Sequence, residues 1–203
     1  MGTDHRKRLL YGVRGVRLTD APTPARLHLG CGACYLDGWV NADGRDTPIV
    51  EGVVGHPDLV LNMYDLGILP DERFSWIYSS HVIEHLYPSK LLEVLRNLHR
   101  ILVRGGVLAL ATTDFEGIYQ NRFLEPNNGS FYKAALFGAC DDGDHPMDAH
   151  RNVFTYEELS DLLGAAGFSR VRPWETAQYP EIDALDDYSK TCRLVSVLVE
   201  AVR

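Results

Sequence analysis

Arg26-Leu27-His28-Leu29-Gly30-Cys31-Gly32 and, seven residues on, Trp39-Val40-Asn41-Ala42-Asp43 form the stretch that decides the fold. Leu27-His28-Leu29 is a short apolar run and reads as a buried strand. Two glycines follow at once. A second strand then ends in a carboxylate. Gly30 can take a positive φ and turn sharply, and Gly32 lets a ligand approach the backbone with no Cβ in the way. Asp43, at the tip of the next strand, can accept hydrogen bonds from both hydroxyls of a ribose. Strand, glycine turn, strand and acid is the layout of a nucleoside-binding α/β domain.

Leu27-His28-Leu29-Gly30-Cys31-Gly32 resembles the first motif of class I S-adenosylmethionine-dependent methyltransferases, of the small-molecule, type 11-like kind. The resemblance continues in order. Phe74-Ser75-Trp76-Ile77-Tyr78-Ser79-Ser80-His81-Val82-Ile83-Glu84-His85-Leu86 is similar to the family's fourth-strand segment, and Leu98 to Leu108, with Gly105-Gly106, to its helix, turn and fifth strand. The similarity spans residues 27–168. It implies a Rossmann-like, mostly parallel seven-stranded sheet with helices on both faces, and S-adenosylmethionine as cofactor with S-adenosylhomocysteine as product. The cofactor positions it implies are Leu29, Gly30, Cys31, Gly32, Asp43, Met63, Asp65, Leu66 and Ser80. In that family an acid after the third strand faces the adenine, so Asp65 would accept from the adenine amine, with Met63 or Leu66 beside the ring.

The first crossover departs from the usual pattern. Only Cys31 to Gly38 separate the two strands, where parallel neighbours normally need a dozen or more connecting residues. Eight residues span ~25 Å when extended, enough to return along a short strand but with little helix. A loop or a single turn is therefore expected, with little helix dipole for a bound group. Asp43 stands 13 positions after Gly30, against the ~20 of dinucleotide folds. Glu51 is the competing ribose partner. Asp43 is preferred because the next strand then falls naturally at Leu59 to Met63.

Composition sets outer limits. The chain has 203 residues, 45% hydrophobic and 24% charged, with net charge −8, as expected of one soluble globular domain. The negative balance argues against a broad nucleic-acid footprint. No apolar run approaches the ~20 residues of a membrane span, and no signal-peptide core is visible. The four cysteines do not form a secreted disulfide framework, so a cytoplasmic setting is expected. Residues 1–25 read as a basic N-terminal arm, solvated or folded over the site, and 26–203 as the methyltransferase domain. A homodimer is left open.

Pro88 to Val103 has leucines every three or four residues and predicts an amphipathic helix, ended near Gly105. Val107 to Ala111 reads as the fifth strand. Residues 115–149 then break the α/β rhythm with Phe115, Tyr119, Phe123, Phe131, Tyr132 and Phe137, a pattern that suits a lid over the acceptor. Thr155-Tyr156-Glu157-Glu158 is a capping box opening a helix that Gly167 stops. Phe168 to Trp174 and Arg193 to Val202 read as a final antiparallel pair.

Two motifs admit other chemistry. Cys31-Gly32-Ala33-Cys34 could be a redox pair or half a zinc site, though Cys140 and Cys192 stand alone. His81-Val82-Ile83-Glu84-His85 is a His-x-x-Glu-His, the inverted zinc-peptidase motif, which needs a helix across its length. Some methyltransferases acting on hydroxyls bind a divalent metal through Glu-x-x-Glu-His, where this chain has His81 first. The preferred reading has no metal. It is methyl transfer to a nucleophilic atom of a small-molecule acceptor, oxygen favoured over nitrogen, with His81, His145 and His150 as candidate bases. A non-catalytic subunit that binds S-adenosylmethionine is the remaining alternative.

Overall fold

Leu27 and Leu29 point to one side of their strand and His28 to the other, and that alternation runs through the whole sheet. The computed structural model describes residues 18–44, 57–121, 129–138, 149–185 and 192–203. Among them seven strands form one sheet: β1 (Ala25–Leu29), β2 (Val40–Asp43), β3 (Leu59–Val60), β4 (Phe74–Ser80), β5 (Leu102–Thr113), β6 (Ser169–Pro173) and β7 (Ser196–Val202). Their order is β3-β2-β1-β4-β5-β7-β6. The first five are parallel, and β7 runs antiparallel between β5 and β6. The expected mostly parallel, seven-stranded α/β sheet is therefore present.

The two faces are covered unequally. Leu27, Leu29, Ile77, Leu108, Leu110, Val199 and Ala201 point into the main core. That core is closed by α1 (Pro88–Ile101) and α4 (Tyr156–Ala166). Leu91, Val94, Leu95, Leu98 and Ile101 make the buried stripe of α1, which Pro88 starts at a position where its missing N–H costs nothing. In α4, Thr155 Oγ1 accepts from Glu158 N–H, the Glu158 carboxylate accepts from Thr155 N–H, and Gly167 ends the helix at φ +108°. The opposite face is packed mainly by aromatic rings. Trp39, Trp76, Tyr78, Trp174 and Tyr179 cluster there with Leu36 and Ile182. The four-residue α5 (Pro180–Asp183) packs there through Ile182. Helices on both faces thus holds in unequal measure.

The short crossover explains the imbalance. Cys31 to Gly38 contains no helix, as eight residues dictate. Asn41 supplies what helix hydrogen bonds would have done. Its side-chain oxygen accepts from Leu36 N–H at 2.9 Å, and its amide donates to the carbonyls of Leu36 and Trp39. Asp58 accepts from Asn41 N–H and from the Tyr35 hydroxyl, each at 2.9 Å. Asn41 and Asp58 are both buried, so their polar groups need these partners.

Three expected boundaries move. β3 has only two residues, because a 3-10 turn, Met63–Ile68, begins where the strand was expected to end. β5 is longer than expected, starting at Leu102 and running through the Gly105-Gly106 pair. Residues 18–24, expected in the arm, join the domain instead: Leu18 is buried, and the Arg73 guanidinium donates to the carbonyls of Leu18, Ala21 and Pro22. Residues 1–17 lie outside the described residues. No helix among the described residues is long and apolar enough to cross a membrane.

Candidate functional site

The strand order changes direction between β1 and β4, so the carboxyl ends of these two strands border the crevice where such sheets bind ligands. Gly30 ends β1 at φ +72° and packs on Val82, just past β4; a Cβ built on it would lie 2.1 Å from Val82 Cγ2. Gly30 N–H and Cys31 N–H both donate to the Ala42 carbonyl, which ties the turn to β2. Gly32 N–H donates to Asp43 Oδ2 at 2.9 Å. Gly32 has φ +49°, and a Cβ there would meet nothing within 4 Å. The turn therefore leaves an open cradle beside a carboxylate. Ser80, at the end of β4, has a buried hydroxyl with no partner among the described residues. An open glycine, an acid at the strand tip and an unpaired hydroxyl suit a bound nucleoside.

The other cofactor candidates are placed less evenly. Asp65 is exposed in the first turn of the 3-10 segment after β3, at the same end of the sheet. Met63 is largely buried beside it. Leu66 is wholly enclosed in the main core, so its side chain faces the sheet rather than the crevice. Leu29 is likewise a core residue and contributes only backbone at the end of β1. Glu51, the competitor of Asp43, lies outside the described residues.

The thiol of Cys31 does not suit redox work. Burial first, with the carboxylates of Asp43 and Asp58 adding to it, pushes the thiol up to about 12, so it stays protonated and a poor nucleophile at neutral pH. Among the described residues no group of three His, Cys, Asp or Glu side chains is placed to hold a metal. The peptidase geometry is also missing. The chain is strand to Ser80, left-handed at His81 (φ +51°), and helical only as a 3-10 turn over Ile83–His85. A helix that would set His81 and His85 on one face does not form.

Instead, His81 and Glu84 anchor a cluster. His81 Nδ1 lies 2.8 Å from Glu84 Oε1, and His81 Nε2 lies 2.9 Å from Ser196 Oγ. Glu84 is fully buried and accepts from the hydroxyls of Thr112 and Thr113, at 2.9 and 3.2 Å, at the end of β5. Burial raises the carboxyl, but the hydrogen bond and charge of His81 outweigh it, and the net result is a carboxyl held low, at about 2. The Glu84 carbonyl accepts from the N–H groups of Arg151 and Asn152, which joins the motif to the segment after the insertion. His150 lies in that segment. Its Nδ1 donates to the Ala135 carbonyl at 2.8 Å, and its ring meets His85 edge-on at 4.8 Å. Burial is the main cause that lowers its pKa. His81 and His150 are thus brought together around Glu84, whereas His145 lies outside the described residues. Ser196, Thr112 and Thr113 were not singled out in the sequence. They come from two later strands, and only the β5–β7 pairing, Thr113 opposite Ser196, brings them here.

The insertion contributes α2 (Phe115–Asn121) and α3 (Gly129–Phe137). Phe115, Tyr119 and Phe137 are exposed. The Tyr132 hydroxyl donates to the Asn121 carbonyl, linking the two helices.

The sequence matches the family described as "Methyltransferase domain" over residues 29–172. No curated protein matches it. Many solved structures share its fold. A methyltransferase dependent on S-adenosylmethionine from Mesorhizobium loti aligns at 18% identity, covering 92% of this chain and 95% of that one, with a TM-score of 0.53. A Haloferax volcanii methyltransferase complex with the activator Trm112 aligns at 15% identity, covering 97% and 91%, with a TM-score of 0.52. The 1,6-didemethyltoxoflavin N1-methyltransferase of Burkholderia thailandensis, crystallised with that compound and S-adenosylhomocysteine, aligns at 16% identity, covering 89% and 72%, with a TM-score of 0.53.

Proposed function

The chain belongs to the methyltransferase-domain family, and from that premise we propose that it methylates a hydroxyl oxygen of a small molecule with His81 as proton acceptor. S-Adenosylmethionine, when bound, supplies an electrophilic methyl on a positively charged sulfur and leaves as S-adenosylhomocysteine. Because the methyl arrives already activated, the protein's task is alignment and proton management. Gly30 and Cys31 hold the turn against β2, Gly32 offers close backbone approach, and Asp43 offers a charged acceptor for ribose hydroxyls. Asp65 stands ready for the adenine amine, with Met63 beside it, and Ser80 adds a hydroxyl at the end of β4.

The observation that carries the oxygen preference is the pairing of His81 Nε2 with a hydroxyl oxygen at 2.9 Å, while Glu84 occupies Nδ1. A histidine so held is built to take a proton from a hydroxyl at that nitrogen. His150 belongs to the same cluster and serves as a second candidate. The exposed aromatic side chains of α2 and α3 suit a cover over a small acceptor with apolar surface.

Calorimetry tests the cofactor first. S-Adenosylhomocysteine should bind the full chain, and no binding up to millimolar concentration would sink the assignment. Transfer of labelled methyl from S-adenosylmethionine to a panel of phenols, hydroxy acids and amines tests the acceptor. Turnover confined to hydroxyls supports the reading, and turnover confined to amines overturns the oxygen preference. Binding without turnover on any acceptor, in the panel or in a metabolite extract, marks a non-catalytic subunit.

A further inference from the structure

His81 leaves β4 in a left-handed conformation, φ +51°, which a residue with a Cβ keeps only where its surroundings hold it. Both ring nitrogens are held. Glu84 is fully buried, it is an acceptor for the Thr112 and Thr113 hydroxyls, and its Oε1 lies 2.8 Å from His81 Nδ1. A carboxylate only accepts hydrogen bonds, so Nδ1 is the nitrogen that carries the hydrogen. In the neutral ring Nε2 is then an acceptor, and the hydroxyl facing it belongs to Ser196. That hydroxyl has one hydrogen and two acceptors within reach: His81 Nε2 at 2.9 Å and the Cys192 carbonyl at 2.8 Å. Ser196 can turn its hydrogen from one to the other without losing a hydrogen bond.

We infer that Glu84 and Ser196 are positioning residues for His81: Glu84 fixes the Nδ1–H tautomer and the ring plane, and Ser196 keeps the Nε2 position until an acceptor hydroxyl takes it over. The inference rests on the reading of His81 as proton acceptor. On arrival of the acceptor, the Ser196 hydroxyl turns away from Nε2 to donate to the Cys192 carbonyl, and the acceptor hydroxyl donates to Nε2 in its place. As the acceptor's O–H bond breaks, its electron pair stays on oxygen to form the bond to the methyl carbon, and the proton goes to Nε2. The resulting imidazolium faces the Glu84 carboxylate. Around this ring stand Glu84 and His85 from the 3-10 turn after β4, His150 from the segment after the insertion, and the Cys192 carbonyl preceding β7. Tautomer control by a buried carboxylate is a recurrent means of setting which histidine nitrogen is basic. None of this could be read from motif spacing, because Ser196 lies 115 positions from His81.

The test is nuclear magnetic resonance on the full chain with ¹⁵N-labelled histidine across a pH titration, with the His81 signals assigned by their loss in His81→Ala. The expected spectrum of the neutral wild-type ring shows Nδ1 protonated, with a downfield, slowly exchanging proton, and Nε2 bare. Glu84→Gln should lose that proton signal and mix the two tautomers. Ser196→Ala should keep Nδ1 protonated and shift the Nε2 resonance. A wild-type ring protonated on Nε2 alone overturns the inference, as do His81 signals unchanged in Glu84→Gln. If Glu84→Gln does not fold, an unchanged Nε2 resonance in Ser196→Ala overturns it alone. S-Adenosylhomocysteine affinity, measured on the same samples, separates the two levels. Failure to bind removes the methyl-transfer reading while the histidine spectra stand, and unaltered spectra remove the positioning roles while methyl transfer stands.

Discussion

The two halves of the crevice are built on opposite plans. At the ends of β1 and β2, Gly32 stands open with room beside it, and the contact to Asp43 is made by backbone N–H. At the ends of β4, β5 and β7, Glu84 has no exposed surface, and its carboxylate meets one imidazole and two hydroxyls. The first half is an open turn with room beside a carboxylate. The second is a closed network directed inward, and its one variable member is the histidine. On the proposed reading, recognition and proton handling need different surroundings. A ligand needs room beside backbone it can approach closely, whereas a base is tuned by groups already committed.

The largest expected effect falls on the open half. On the proposed reading, Asp43→Ala removes hydrogen bonds from ribose hydroxyls to a charged acceptor, each on the order of 1.5–3 kcal/mol. Two such bonds correspond to a loss of roughly 100-fold or more in affinity for S-adenosylhomocysteine, measured by calorimetry. The variant also removes the acceptor of Gly32 N–H. If affinity is unchanged, Asp43 is not the ribose acceptor, and Glu51→Ala becomes the variant to measure.

The closed half should respond to pH instead. The Glu84 carboxyl is held at about 2 in the folded chain, against 4.5 for an unperturbed glutamate. A depressed carboxyl stabilises the fold above its unfolded value and loses that contribution as pH falls through its folded value. Stability should therefore drop between about pH 4.5 and pH 2 by an amount on the order of 3 kcal/mol from this group alone. Urea midpoints across that range check it. Glu84→Gln should start less stable at pH 7 and lose less on acidification. A variant that tracks the wild type in parallel down to pH 2.5 would place the acid sensitivity elsewhere.

The same contrast accounts for what could be read in the sequence. The glycine turn, the strand before it and the acid after it are local features, so Gly30, Gly32 and Asp43 were legible together. The missing first helix was legible too, since eight residues cannot hold one and still return along the sheet. The capping box at Thr155 and the stop at Gly167 were read for the same reason: each acts within one turn of chain. Leu66 shows the limit. Position after β3 suggested a place beside the adenine, but a 3-10 turn rotates its side chain into the core. Ser196, Thr112 and Thr113 show it more sharply. A serine opening one strand and threonines ending another carry no signal of their own until antiparallel pairing sets them around Glu84. The His-x-x-Glu-His motif was visible but ambiguous, because its meaning depends on whether the backbone is helical, and the left-handed turn at His81 decides that.

The smallest effect on stability, and the one that best isolates the plan of the open half, is expected from Gly32→Ala. An alanine at φ +49° carries backbone strain of about 1–2 kcal/mol, which in a chain of this size lowers the melting temperature by roughly 2–8 °C. No clash adds to this, because a Cβ at Gly32 meets nothing within 4 Å. Gly30 makes the contrast: its Cβ would stand 2.1 Å from Val82 Cγ2, so a substitution there disturbs the β1–β4 junction and says little about ligand binding. At Gly32 the space is open, and the cradle reading assigns that space to the cofactor. Gly32→Ala should therefore melt close to the wild type yet bind S-adenosylhomocysteine at least tenfold more weakly, and calorimetry on the folded variant reads the two effects apart. Full affinity in Gly32→Ala would mean that the second glycine serves only the turn. The ligand would then approach from the Asp43 side alone, and the open half would be smaller than its geometry implies.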